Sequence, residues 1–172
     1  LLANTTASNN TALGSSCLLD NTTGASNTAV GSSALENNTT ASYNTAIGVD
    51  ALKTNTTGTS NSAFGYGALD ANSTGGNNNS FGAYSLSAST VSDNNAFGSY
   101  ALHSTTTGTF NAAFGHRVML ANTTGDGNTA VGAYALEDTT TGVNNVAIGY
   151  QAMLDSTTSS YNTAVGRYAL ST

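Results

Sequence analysis

One short sentence recurs along the whole chain: "YNTAIGVDALKTNTTG" occupies residues 43–58, and "SNSAFGYGALDANSTG" restates it at residues 60–75. The glycine that closes each "NTAVG"-like pentapeptide falls at Gly14, Gly31, Gly48, Gly65, Gly82, Gly98, Gly115, Gly132, Gly149 and Gly166. Every interval between them is 17 residues except Gly82 to Gly98, which is 16. A fixed short period repeated this often means one supersecondary unit stacked on copies of itself, because a unit this small cannot bury an apolar face alone.

Slots within the unit are strict. Four residues before each glycine stands Asn, from Asn10 and Asn27 through Asn145 to Asn162. Two before it is Ala in nine copies and Ser80 in the other. Immediately before it is Leu13, Val30, Ile47, Phe64, Phe81, Phe97, Phe114, Val131, Ile148 or Val165. Three after it is a small residue, usually Ala, and four after it is Leu or Met. A polar corner follows, typified by "NTTG" at Asn21–Gly24, and the single shortened interval falls in such a corner at "SASTVSD" (residues 87–93). Length changes are tolerated in surface turns far better than in packed elements, so this segment reads as an outer turn.

Gly and Asn in every unit, with β-branched and aromatic residues before the glycine, disfavour a helix pair. The expectation is an all-β parallel β-solenoid of ten coils spanning residues 1–172 as one repeat array. Each coil would have two short strands, one at "TA(V/I/F)" and one around "AL". Equivalent residues would form columns: the residue before glycine and the Leu inside the coil, the Asn as an amide ladder, the glycine in a conformation that other residues resist. Neighbours in a strand face opposite ways. The Ala beside each large apolar residue would therefore face outward, as a small apolar stripe suited to contact with another chain.

Composition excludes several function classes. Charged residues are 7% of the chain, against roughly 25% in a typical soluble domain. Net charge is −6 with no basic patch, so no nucleic-acid partner is expected. No run of 18 apolar residues is present, so no membrane span is expected in this segment. The chain begins "LLANTT", with neither Met nor a signal peptide, and reads as a slice of a longer fibrous protein. Cys17 stands in an Ala slot and reads as a small buried side chain.

Chemistry-bearing constellations are scarce. His103 and His116 lie in different registers, with no repeating Cys, Asp or Glu at ligand spacing, so no metal, cofactor or catalytic residue is assigned and an enzyme is not expected. Asp20, Glu36, Asp70, Glu137, Asp138 and Asp155 make a weak acidic stripe five or six after the glycine. Tyr66 and Tyr150 follow the glycine by one, and Tyr84, Tyr100, Tyr134 and Tyr168 by two, in outer slots that could stack on sugars or on a neighbouring fibre, or serve turn packing. Candidate glycosylation sites with the N-x-S/T pattern are Asn4, Asn21, Asn38, Asn55, Asn72 and Asn122, at one equivalent corner. Stacked threonines could also bind ice, though here they are adjacent rather than alternating and sit in an expected turn.

"NTAVG" and "NTAIG" followed by "xxAL" resemble the "NSVAIG" head repeats of YadA-like trimeric autotransporter adhesins. The resemblance extends to the "NTAIGYxALxxNTTG" arrays of phage tail fibres and large bacterial surface proteins. It covers the whole chain and implies a left-handed β-roll with three chains around one axis, displayed outside the cell or on a virion surface. This chain departs from the adhesin heads in its longer repeat, whose extra residues fall in the "NTTG" corner, so those heads' surface loops and collagen binding do not carry over. The expected function is a structural fibre segment, shaft or head, of an extracellular homotrimeric adhesin or tail fibre. Its partners would be its own copies and, through the whole fibre, a host-surface glycan or receptor. The alternatives are a self-assembling, glycosylated extracellular filament and, third, an ice-binding solenoid.

Overall fold

A computed structural model describes residues 2–171. Each repeat contributes one three-residue strand: β1 (Thr11–Leu13), β2 (Thr28–Val30), β3 (Thr45–Ile47), β4 (Ser62–Phe64), β5 (Asn79–Phe81), β6 (Asn95–Phe97), β7 (Ala112–Phe114), β8 (Thr129–Val131), β9 (Val146–Ile148) and β10 (Thr163–Val165). They form one sheet in sequential order, and neighbouring strands pair in parallel. Register keeps equal slots in column, so Ala12 pairs with Ala29 and Ala29 with Ala46. The chain is an all-β parallel solenoid, as its period requires.

Among the described residues the second expected strand is absent. The "AL" segment does stack from coil to coil through backbone hydrogen bonds, such as Leu18 N–H to the Ala34 carbonyl at 3.1 Å and Leu35 N–H to the Ala51 carbonyl at 3.1 Å. Its residues are not extended, however. Leu18, Leu35, Leu52 and Leu69 take φ between 47° and 54°, and the residue two before each is also left-handed, for instance Ser33 at 57°. Bulky side chains resist this region by about 1–2 kcal/mol per residue. Burial of the whole leucine, with stacking on both sides, offsets that cost.

Left-handed residues also overturn the expected facing. Because alternation fails outside a true strand, Ala34 and Leu35 both point inward and are fully buried, as are Ala51 with Leu52 and Ala101 with Leu102. Within the strands the sidedness is the reverse of that expected. Ala29, Ala46, Ala63, Ala113 and Ala147 are fully buried, while Ile47, Phe114, Val131 and Ile148 are about 37–41% exposed. The reason is volume. The coil is narrow, and Leu or Met with two buried asparagines already fills it, so the strand can offer only a methyl group. No outward alanine stripe exists on the strands.

The closing glycines take φ between 123° and 147°. At Gly98, φ is +142° and an added Cβ would lie 2.2 Å from the Gly115 carbonyl oxygen, so conformation and stacking both demand glycine.

Two asparagine columns hold the interior. In the first, the Asn44 side-chain oxygen accepts from the Asn61 backbone N–H at 2.9 Å, while the Asn44 amide donates to the Gly58 carbonyl at 2.9 Å. From Asn94 onward, amide–amide bonds join this column, as in Asn111 Nδ2 to Asn94 Oδ1 at 3.2 Å. The second column comes from the "NTT" corner. Asn38 Nδ2 donates to Asn21 Oδ1 at 2.8 Å and Asn55 Nδ2 to Asn38 Oδ1 at 2.9 Å. Beside it runs a hydroxyl column in which Thr22 Oγ1 donates to the Thr39 carbonyl at 2.9 Å and Thr123 Oγ1 to the Thr140 carbonyl at 3.1 Å.

The one-residue deletion leaves the strand register intact, since Ser80 still pairs with Ala96 and Phe81 with Phe97. Asn78 Nδ2 donates to the Val91 carbonyl at 2.7 Å, where Asn61 uses the Gly75 carbonyl. The missing residue is thus the exposed one that Thr23, Thr40 and Thr57 supply elsewhere. In the same turn Ser89 replaces the corner asparagine, and its hydroxyl is a buried polar group without a hydrogen-bond partner. Cys17 is buried in its alanine slot, and its thiol donates to the Gly31 carbonyl at 2.8 Å.

Candidate functional site

The strand face presents an apolar column to solvent. It is made of the residues before each glycine, with Phe64, Phe81, Phe97 and Phe114 at its centre. These four rings stack at centroid separations of 4.5, 4.8 and 4.9 Å with interplanar angles of 5–8°. Isolated aromatic pairs favour offset or edge-on geometry. Here each ring is carried on the strand directly above its neighbour, so the strand spacing of about 4.8 Å imposes face-to-face stacking. Leu13 and Val165 are 67% and 68% exposed at the two ends.

A second feature lies just after the glycines. Tyr66, Tyr84 and Tyr100 run in contact, at 5.1 Å and then 5.4 Å. Further along, His116, Tyr134, Tyr150 and Tyr168 meet edge-on at 5.6–5.7 Å. Arg167 covers the Tyr168 ring with its guanidinium carbon 4.5 Å from the centroid. Most of the expected outer tyrosines therefore pack on one another as a broken aromatic ladder.

The break is the notable part. Between Tyr100 and Tyr134 the column holds Arg117, whose Nη2 donates to Glu137 Oε1 at 2.7 Å and whose guanidinium lies 5.8 Å from the Tyr134 ring. Arg117 therefore leans toward the following coil and leaves a cleft of about 440 Å³ lined by Tyr100, His103, His116, Arg117 and Leu120. His103 sits edge-on to Tyr100 at 5.4 Å, and its Nδ1 is 2.7 Å from the Ser87 hydroxyl and 3.2 Å from the Tyr84 carbonyl. Sequence register placed the two histidines apart, five after one glycine and one after the next. Stacking brings those slots together.

The acidic stripe is partly paired. Lys53 Nζ lies 3.1 Å from Asp50 and 3.9 Å from Glu36, and these carboxylates raise its pKa, with the Asp50 hydrogen bond the largest cause. Asp70, in the same slot as Glu36 and Lys53, has its carboxyl pushed up by burial, with the Asp50 charge adding to the effect and Lys53 opposing it. Among the described residues no group of three or more His, Cys, Asp or Glu is placed to hold a metal ion. No helix among them is long and apolar enough to cross a membrane.

The candidate glycosylation residues do not form a surface row. Asn21, Asn38, Asn55, Asn72 and Asn122 are fully buried, and each side-chain amide donates to a carbonyl of its own corner, as in Asn21 to Gly24 at 2.9 Å. A glycan on that nitrogen would have no room and would remove a donor from the interior. Asn4 alone of the six is exposed. No family model, curated protein or solved structure matches the chain.

Proposed function

We propose that this chain is a structural fibre segment, a shaft or head piece that assembles with copies of itself along the strand face. The trimeric arrangement implied by the resemblance to adhesin heads and tail fibres suits it, as does display outside the cell or on a virion. The exposed apolar column carries this reading. A monomer would leave Ile47, Phe114, Val131 and Ile148 about 37–41% exposed in one line along the sheet, and contiguous apolar surface of that kind marks an interaction site. A rod of equal coils supplies length and repeated weak contacts, and so would hold a receptor-binding part at a distance.

Ice binding has less support, because the threonines of the outer strand face are interrupted by Asn79, Asn95, Ala112 and Val146 and flanked by phenylalanines. The test is sedimentation of the wild-type chain against Phe81→Asp/Phe97→Asp. The wild type should run as a homo-oligomer, with a trimer mass for the three-chain form, and the double variant as a folded monomer with unchanged circular dichroism. A wild-type chain that stays monomeric at about 100 μM would overturn the assembly.

A further inference from the structure

Among the described residues, the cleft at the break in the aromatic ladder brings cationic, imidazole and aromatic groups together. The chain carries three Lys or Arg and two His. Three of those five side chains, His103, His116 and Arg117, line this one cleft. Tyr100 forms one wall. One side of its ring is occupied by Tyr84, stacked at 5.4 Å and 22°, and the next coil offers Arg117 where a further tyrosine would continue the stack. Leu120 adds an aliphatic patch. Arg117 commits Nη2 to Glu137, and a guanidinium has five donors in a planar fork, so other N–H groups remain for a ligand.

We propose that this cleft binds one anionic pyranose, a sugar carrying a carboxylate. Its C–H face would stack on Tyr100 and Leu120, and its carboxylate and hydroxyls would be held by Arg117 and the two imidazoles. Three observations select this class. The volume of about 440 Å³ lies in the range of small-ligand sites, roughly 300–1,000 Å³. An aromatic wall beside clustered donors suits a ring that is apolar on its face and polar at its rim. A polyanion is disfavoured by the chain's net charge of −6, whereas a single carboxylate can be met by the guanidinium N–H groups that the Glu137 pair leaves over on Arg117. The ion pair to Glu137 is part of the site, because it draws Arg117 off the Tyr100 ring. The proposal does not depend on the fibre reading, since the cleft is built from residues of one chain.

Saturation-transfer NMR on the 172-residue chain, with sodium glucuronate as probe and glucose and acetate as comparators, tests it. Tyr100→Ser and Arg117→Gln place in the slot residues that it already accepts at Ser16, Ser33 and Gln151, so both variants should keep the fold, checked by circular dichroism. We expect transfer to the glucuronate ring protons, at least fivefold weaker for glucose. The glucuronate signal should be lost in Tyr100→Ser, reduced to the glucose level in Arg117→Gln, and unchanged in Tyr168→Ser. Equal signals from the two sugars, an undiminished signal in Tyr100→Ser, or full displacement by an equal concentration of acetate would overturn it.

Discussion

Asn55 donates its side-chain amide to Asn38 Oδ1 at 2.9 Å, one coil and 17 residues away, inside a solenoid whose other contents are mostly methyl groups and leucines. The same nitrogen also donates to the Gly58 carbonyl at 2.9 Å. Each such amide ties its own turn shut and binds that turn to the preceding coil. Asn55→Ala would leave the buried Asn38 Oδ1 unpaired, leave the Gly58 carbonyl with the Asn44 amide as its side-chain donor, and open a cavity. Unsatisfied buried groups cost about 1–3 kcal/mol each. The expected loss is therefore about 1–3 kcal/mol, read from denaturant unfolding, and a loss under about 0.5 kcal/mol would show that the column is incidental.

Ser89 is the first break in that column, which Thr105, Thr139 and Ser156 interrupt again further along. Its hydroxyl is buried and unpaired, in the turn that is one residue short. Ser89→Asn should restore the amide row next to Asn72 and raise stability by about 0.5–1.5 kcal/mol, which for a chain of this length is a rise in Tm of about 1–6 °C. A fall in Tm would mean that the shortened turn cannot admit the longer side chain.

Ala113 and Phe114 are adjacent, yet substitutions at them should act on different properties. Ala113 is fully buried and Phe114 is 41% exposed. Ala113→Leu overfills the coil and should cost about 1–3 kcal/mol of folding stability. Phe114→Ser removes a ring that is stacked on Phe97 on one side and open to solvent for 41% of its surface. It should cost about 0.5–1.5 kcal/mol of folding stability through the lost stack and also weaken self-association in sedimentation, which Ala113→Leu should leave intact while the chain stays folded. Swapped outcomes would mean that the strand faces the other way.

Asp70 supplies a pH signature. Burial, the largest cause, and then Asp50 hold its carboxyl above the ordinary value. As pH rises from the unfolded value of about 3.9, the unfolded chain loses its proton first, so ionisation erodes folding stability until the folded carboxyl has also titrated. Asp70→Asn should therefore raise Tm slightly at pH 7, on the order of 1 °C given the solvent screening of a half-buried group. Below about pH 3 the gain should vanish, because Asp70 is then neutral in both states. Equal gains at both pH values would assign the effect to packing rather than charge.

The architecture was legible because its cause is periodic. Gly98 and its equivalents announce both the coil length and a backbone conformation that other residues resist. What escaped was sidedness. Val131 and Ile148 look like core residues and Ala130 and Ala147 like an outward contact stripe, until the narrowness of the coil is known. That narrowness follows from Leu136 and Asn145 both pointing inward, and the inward turn of leucine needs a left-handed backbone that leucine rarely adopts. Asn21 and Asn38 look like surface residues because "NTT" is turn-like, whereas the turn bends their amides inward and leaves Thr23 and Thr40 outside. The cleft escaped for a different reason. His103 and His116 are 13 residues apart in the chain, and slots five after one glycine and one after the next become neighbours only once coils are stacked.

Stacking also decides how such a chain meets mechanical load. The backbone hydrogen bonds between strands, and both asparagine columns, run from coil to coil along the rod. Tension applied end to end therefore pulls these bonds open at the terminal coil before it strains the next. Each released coil frees 17 residues, or about 55–60 Å of extended chain, in place of a rise of about 4.8 Å. Pulled lengthwise, the protein should yield in near-equal steps, extending by paying out slack and keeping the remaining coils whole.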